Sequence, residues 1–265
     1  MSKFDVLCDK IRGFRRLAIA FSGGTDSTFL AAAAGKCLPK DDILLLHIDS
    51  VLLPPSDRGF AAQWAAKNDF RLEPVAFDPL GDTEIAANDR LRCYYCKKRV
   101  FSELYAHARR LGFETLADGA NCDDLGDYRP GMDAARELGI AHPLLDCGFS
   151  KRDIRYFARE LGLVNADAPS SACLASRIPT GTPLTRKALR MAGDAESILI
   201  DLGFYGIRVR IIGPLAKIEA SPSDMPRMLD LRKAIADKLM RLGFAEVTLD
   251  LNGYRMGSMN QREES

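Results

Sequence analysis

The chain is 265 residues long, 47% hydrophobic and 28% charged, so it can bury a sizeable core and is not a disordered protein. Thirty-seven Lys and Arg against 36 Asp and Glu leave a net charge of +1, which argues against general coating of nucleic acid or of a membrane surface. No run of about 18 apolar residues is present, and the charged stretch 1–16 lacks the apolar centre of a secretion signal. A cytoplasmic protein is expected, in which seven cysteines read as core fillers, metal ligands or reactive thiols and not as a disulfide framework.

In chain order, the first 165 residues alternate strand and helix. Leu17-Ala18-Ile19-Ala20-Phe21 is a short apolar run with a glycine pair behind it. Ile43-Leu44-Leu45-Leu46-His47-Ile48 is the continuous run of a strand covered on both faces. Further strands are predicted over 72–77 and 115–117, and helices over 27–34, 58–68, 97–111 and 132–138. This alternation predicts an α/β fold with a parallel, doubly wound sheet. Pro179-Thr180-Gly181-Thr182-Pro183 reads as a linker. A helix over 184–202, strands over 205–212 and 215–220, a helix over 223–242 and a strand over 245–251 follow, the pattern of a small α+β domain. The expected division is one domain at 1–180 and a second at 181–265.

The most informative segment is Ser22-Gly23-Gly24-Thr25-Asp26-Ser27, between the first strand and the first of these helices. Consecutive glycines let several N–H groups converge on an anion, and the helix behind adds its positive end. A positive φ is expected at Gly24. Hydroxyls and the Asp26 carboxylate flank the concavity, so phosphate and Mg²⁺ could be held together. A P-loop needs Gly-Lys-Ser/Thr after a longer spacer, which is absent. A plain tight turn with Ser22 or Asp26 as helix cap would use the same residues.

Cys93 and Cys96 form a C-x-x-C within Arg92-Cys93-Tyr94-Tyr95-Cys96-Lys97, and Cys173 lies in Ala172-Cys173-Leu174-Ala175-Ser176-Arg177-Ile178-Pro179. Such a pair can bind zinc, undergo redox chemistry or supply part of an iron–sulfur cluster. Of the three histidines, His47, His107 and His142, none lies near enough in sequence to complete a zinc set. Cys8 and Cys37 read as core fillers and Cys147 has no evident partner, whereas Cys122 sits inside the polar stretch 117–131 that follows a predicted strand. Polar loops at the carboxyl edge of a parallel sheet are where ligands bind. Arg208 and Arg210, two apart on a strand, share one face and suit phosphate or carboxylate.

Ser22-Gly23-Gly24-Thr25-Asp26-Ser27 resembles the SGGxDS motif of the PP-loop ATP pyrophosphatases, which cut ATP between its α and β phosphates and adenylate a substrate. Adding Asp49-Ser50, the Arg92–Lys97 stretch, Asp127-Tyr128-Arg129-Pro130-Gly131, residues 172–179, Arg208-Val209-Arg210 and Gly253-Tyr254-Arg255-Met256-Gly257-Ser258-Met259-Asn260 narrows the likeness. Together these resemble the LarE family of ATP-dependent sulfur transferases, over residues 21–260. The resemblance implies that the carboxylates of pyridinium-3,5-biscarboxylic acid mononucleotide are adenylated and converted to thiocarboxylates, in assembly of a nickel-pincer nucleotide cofactor. It implies ATP contacts at Ser22, Gly23, Gly24, Thr25, Asp26, Ser27, Asp49, Ser50, Gly119, Asn121 and Asp124, and Mg²⁺ at Asp26. It further implies substrate contacts at Arg177, Arg208, Arg210, Glu219 and Arg255. One branch of the family sacrifices the cysteine at the position of Cys173; another holds a 4Fe–4S cluster on three cysteines and delivers an added sulfide. Cys93, Cys96 and Cys173 place this chain with the cluster branch, with sulfide or another sulfur source as partner and a homo-oligomer expected.

The chain departs from the family pattern at Ala166, Ala168 and Thr180, at Ala120 and Cys122, at Ile211 and Ile212, and at Asn252. These positions bear on substrate detail more than on ATP chemistry. A tRNA-thiolating PP-loop enzyme is the nearest competitor, opposed by the near-neutral charge. An amide-forming ligase leaves the three cysteines without a task, and a non-catalytic nucleotide sensor would form neither AMP nor pyrophosphate.

Overall fold

The protein is described by a computed structural model covering residues 2–126, 130–168 and 172–254. In chain order its elements are α1 (Lys3–Gly13), β1 (Leu17–Ala20), α2 (Thr25–Cys37), β2 (Ile43–Asp49), α3 (Pro55–Lys67), β3 (Arg71–Ala76), α4 (Thr83–Ala86), α5 (Arg92–Arg110), β4 (Leu116–Ala117), α6 (Pro130–Glu137), α7 (Pro143–Asp146) and α8 (Lys151–Glu160). Then come α9 (Arg186–Asp201), β5 (Arg208–Ile212), β6 (Leu215–Glu219), α10 (Met225–Asp230), α11 (Arg232–Arg241) and β7 (Glu246–Leu249). The chain forms two compact units, one of Met1–Ser50, Asp57–Phe77 and Cys93–Ser171, the other of Val51–Ser56, Asp78–Arg92 and Ala172–Ser265.

The first unit is built on a parallel sheet of order β3-β2-β1-β4. Alternate residues of the apolar strands enter different cores, as the two-residue period requires. Leu17, Ile19, Ile43 and Leu45 pack with Phe29, Leu30, Trp64 and Phe149, while Ala18, Leu44 and Leu46 pack with Phe101, Leu104 and Phe113. Both faces are therefore covered, which is why β2 reads as an unbroken apolar run and not as an alternation. The central parallel sheet between helices is the doubly wound α/β arrangement expected. A further parallel bridge, Ala117 to Ala141, carries the sheet one step past β4. All these strands point their carboxyl ends to one edge, and the polar loops follow from there.

Besides the four-residue α7, two helices of this unit escape the sequence pattern. Both α1 and α8 are rich in charge, burying only Leu7, Cys8 and Ile11 in one and Ile154 and Ala158 in the other. Each is announced by a capping box instead, Ser2 with Asp5 and Ser150 with Asp153. On α2, the Cys37 thiol is pushed up to about 12 by burial and by the neighbouring Cys8 thiol of α1.

In the second unit β5 and β6 pair antiparallel and β6 and β7 parallel, with order β5-β6-β7. Leu189, Ala192, Ala195 and Leu199 of α9 and Val209, Ala216 and Ile218 of the sheet are buried. The helix expected over 223–242 is two, because Leu231 at ψ 8° leaves the helical range between α10 and α11. No helix among the described residues is long and apolar enough to cross a membrane.

Phe29, fully buried, has ring centroids of Phe4, Phe149 and Phe157 within 5.6–6.4 Å. Phe29→Ala is expected to cost about 3–5 kcal/mol of stability, read as a lower urea midpoint at unchanged slope.

Candidate active site

The turn from β1 into α2 has the geometry of an anion cradle. Gly23 carries the positive φ, at 81°, and a Cβ there would meet Ala61 Cβ and Phe60 Cδ1 at 3.3 Å. Gly24, where the positive φ is expected from sequence, has φ −69° and caps α2 without a side chain. The conformational demand for glycine therefore falls one residue earlier. At Gly24 the missing side chain leaves the first-turn N–H groups of α2 without a capping oxygen.

The loop's hydroxyls brace it from within. Ser22 Oγ accepts from Gly24 N at 3.3 Å and lies 3.1 Å from Ser27 Oγ, which donates to Gly24 O. Thr25 is buried and donates to the carbonyl of Asn165 at 2.8 Å. Asn165 Nδ2 reaches back to Gly23 O and Thr28 Oγ1 at 3.0 and 3.1 Å. Asn165 is thus a buried clamp on the loop, with no sequence signal beyond a polar residue in a turn.

Asp26 faces a lysine. Lys151, the first residue of α8, bonds both carboxylate oxygens, and its backbone N–H is held by Asp123. Burial outweighs these bonds, and together with the negative charge of Asp124 it leaves the Asp26 carboxyl above its ordinary range. Arg155, four residues along the same face of α8, also acts on Asp26, and its Nε is buried with no partner among the described residues. The charges of Lys151 and Arg155 therefore both act on the carboxylate in the first turn of α2.

The loop after β4 closes over this arrangement. A Cβ at Gly119 would lie 3.0 Å from Ser27 N and 3.1 Å from Asp26 Cβ, so only glycine lets the two backbones approach this closely. Asn121 N donates to Asp124 Oδ2, and Asn121 Oδ1 accepts from Asp123 N, a self-bonded turn. Cys122 N donates to Phe149 O at 2.8 Å. At the end of β2, Asp49 is exposed and paired with Arg58, which also bonds the carbonyl of buried Ser50.

Cys93 and Cys96 occupy the first turns of α5 in the first unit, one helical turn apart on one face, Cys93 exposed and Cys96 half-buried. Cys173 belongs to the second unit, where Arg92 Nη1 donates to its Sγ at 3.3 Å. Among the described residues, no group of three or more His, Cys, Asp or Glu is gathered to hold a metal ion. Mg²⁺ needs no such group, since one or two carboxylates plus substrate phosphates suffice, and Asp26 and Asp124 stand within electrostatic reach of each other.

The arginines expected to meet the substrate have internal duties. Arg177, 1% exposed, makes a two-pronged ion pair with Glu196 at 2.8 and 2.9 Å, and its Nη1 bonds Ala172 O and Ser176 Oγ. It thereby bonds the backbone before Cys173 and the Ser176 hydroxyl after it. Glu196, absent from the sequence reading, also accepts from Val209 N at 3.0 Å. Arg210 is buried against Glu219 at 2.6 and 2.9 Å and donates to Ser176 O at 2.7 Å. Arg208 is the more open of the strand pair, stacked 5.1 Å over Tyr254; burial, with the Arg177 charge, holds its guanidinium below the ordinary value. Asp127, Tyr128, Arg129 and Arg255 lie outside the described residues.

No protein-family model matches the chain. It is 34% identical over 259 residues to the pyridinium-3,5-bisthiocarboxylic acid mononucleotide synthase of Lactiplantibacillus plantarum, covering 98% of this chain and 94% of that one. It is also similar to an uncharacterized protein of Synechocystis, at 36% identity over 93% of this chain and 92% of the relative. An uncharacterized protein of Methanocaldococcus jannaschii is 29% identical over 91% of each chain.

Arg177→Met would leave the Glu196 carboxylate buried without its ion partner, at an expected cost of about 3–5 kcal/mol in chemical denaturation. The double change Arg177→Met with Glu196→Leu should recover part of that loss.

Proposed function

The chain belongs to the LarE family, that of the pyridinium-3,5-bisthiocarboxylic acid mononucleotide synthase, and from this premise we propose that it is an ATP-dependent sulfurtransferase. It would activate the carboxylates of a pyridinium dicarboxylate mononucleotide as acyl adenylates, releasing pyrophosphate, and replace AMP by sulfur. The observation that carries the reading is the anion cradle of the first unit. An uncapped helix start and the Lys151 ammonium meet there at Asp26, and the Arg155 charge acts on the same carboxylate. Pyrophosphate, with four acidic oxygens, suits that density of donors.

In this reading the first-turn N–H groups of α2, with Ser22 and Ser27, bind the departing phosphates, and Lys151 and Arg155 offset the charge that grows on them. Asp26 and Asp124 would hold Mg²⁺ against those phosphates, which supplies further neutralisation. Asp49, Ser50, Gly119 and Asn121 are assigned to the nucleotide from the family pattern. In the second unit, Arg208 is assigned to the acceptor's phosphate or carboxylate from the family pattern. Arg177, Arg210 and Glu219 act as positioning residues for the 172–177 loop.

Sulfur is proposed to arrive through Cys173. The finer reading, a 4Fe–4S cluster on Cys93, Cys96 and Cys173, is supported by the helical spacing of the first two and the thiol chemistry of the set. The sacrificial reading, in which Cys173 itself gives up sulfur, is supported by the guanidinium donor that the Cys173 sulfur has in Arg92.

Lys151→Met and Asp26→Asn are each expected to lower acceptor-dependent pyrophosphate release by at least about 100-fold with the fold intact by circular dichroism. Wild-type rates in both would refute the cradle. For sulfur, anaerobic protein supplied with sulfide should turn over repeatedly and lose iron and activity together in Cys93→Ala if the cluster operates. If Cys173 is sacrificed, Cys93→Ala should retain activity, and one turnover should remove the mass of one H₂S from the chain.

A further inference from the structure

Arg92 opens α5 and ends its segment of the second unit, the unit that also carries Cys173. Its Nη1 donates to Cys173 Sγ at 3.3 Å, across 81 residues of sequence. A buried asparagine prepares that meeting. Asn88, 2% exposed, holds φ at 56°, a left-handed conformation that asparagine tolerates better than most residues. Its Nδ2 donates to the carbonyls of Pro179 and Thr182, each at 3.0 Å, and its own carbonyl accepts from Gly181 N at 2.9 Å. Asp89 then turns the chain into α5, its Oδ1 accepting from Leu91 N and its carbonyl from Arg92 N. The segment that delivers the guanidinium is thus bonded to the chain just beyond the cysteine loop.

The sulfur end is held by separate bonds. Arg177 Nη1 donates to the carbonyls of Ala172 and Cys173 at 3.0 and 3.4 Å, and Leu174 N donates to Leu52 O at 2.8 Å. The Cys173 thiol makes no capping bond to the 3₁₀ turn Leu174–Arg177 that follows it. The Arg177 charge also acts on Arg208, the arginine assigned to the acceptor, which lies in the same unit.

The thiolate, and not the thiol, is the form of cysteine that attacks carbon, and a neighbouring cation favours it. Arginine suits that task because it keeps its own charge in a protein. Resting on the sulfurtransferase reading, we propose that Arg92 is a catalytic residue of the sulfur step, the counter-charge of the Cys173 sulfur. The thiol proton leaves to water, and the guanidinium holds the sulfur anion in place. A sulfur lone pair forms the bond to the acyl carbon while the C–O bond to the AMP phosphate breaks, its electron pair leaving on AMP. The Cys173 Cα hydrogen then leaves as a proton to water. Its bonding pair forms the Cα–Cβ double bond, and the Cβ–Sγ bond breaks with its pair on sulfur. The products are the thiocarboxylate and a dehydroalanine at position 173, with no outside oxidant or reductant. Negative charge falls on the same sulfur before the first step and after the second, so one guanidinium serves both. A cysteine that ligates iron is a thiolate too, and the pairing has the same use in the cluster reading.

The test begins without ATP or acceptor. Full-length reduced protein is treated with iodoacetamide under anaerobic conditions, and peptide mass spectrometry gives the alkylation rate at each cysteine. Arg92→Met is expected to slow Cys173 about tenfold, while Cys122 and Cys147 of the first unit keep their rates. Arg92→Lys, which retains the charge, should recover most of the loss. With ATP and the pyridinium dicarboxylate mononucleotide, thiocarboxylate formed per pyrophosphate released should also fall about tenfold in Arg92→Met. An unchanged or faster Cys173 in Arg92→Met would overturn the proposal. So would equal changes at all three cysteines, a lysine variant as slow as the methionine one, or an unchanged product ratio. Wild-type protein that releases no pyrophosphate with this acceptor would overturn the sulfurtransferase reading, a failure that the alkylation rates do not share.

Discussion

The Asp26–Lys151 ion pair is the interaction on which the first unit's site depends. Asp26 lies in the first turn of α2, where an acid suits the helix dipole, but burial raises its cost as a carboxylate. Lys151 offsets that cost from the first turn of α8, and its own backbone is pinned by Asp123. One pair therefore ties the glycine turn, α8 and the loop after β4 into a single frame. Asn165 closes the frame from the far side through Gly23 and Thr28. The cradle is held by these side chains and not by its glycines alone.

The second unit meets a different demand. The 172–177 loop, which carries Cys173, has only short 3₁₀ structure of its own. Two buried ion pairs, Arg177–Glu196 and Arg210–Glu219, supply the rigidity, each also bonding the loop's backbone or its Ser176 hydroxyl. Buried pairs of this kind add little net stability compared with well-packed apolar residues, and their value lies in fixing one geometry. The polar residues around Cys173 hold it in place.

Much of the fold is legible in the sequence because buried parallel strands cannot hide. The runs at 17–20 and 43–48 must be apolar on both faces, and the glycine pair marks where the chain turns into α2. Helices α1 and α8 are missed because so few of their residues are buried, leaving a charged string with a capping box as its only signal. Lys151 goes unnoticed for the same reason. For the site, sequence reaches residue types and not their bonds. It marks Thr25, Arg177 and Arg210 as polar groups near a reaction, whereas each bonds to other groups of the protein. Which of two consecutive glycines needs the positive φ is likewise set by packing against Phe60 and Ala61, long-range contacts that no local pattern contains.

The central claim is that a carboxylate is adenylated before sulfur replaces its oxygen, and oxygen bookkeeping tests it most directly. Acceptor labelled with ¹⁸O in its carboxylates would be converted with unlabelled ATP and sulfide, and the products weighed by mass spectrometry. The account predicts one ¹⁸O in AMP for each thiocarboxylate formed and none in pyrophosphate. Label in inorganic phosphate, or AMP without label, would contradict it.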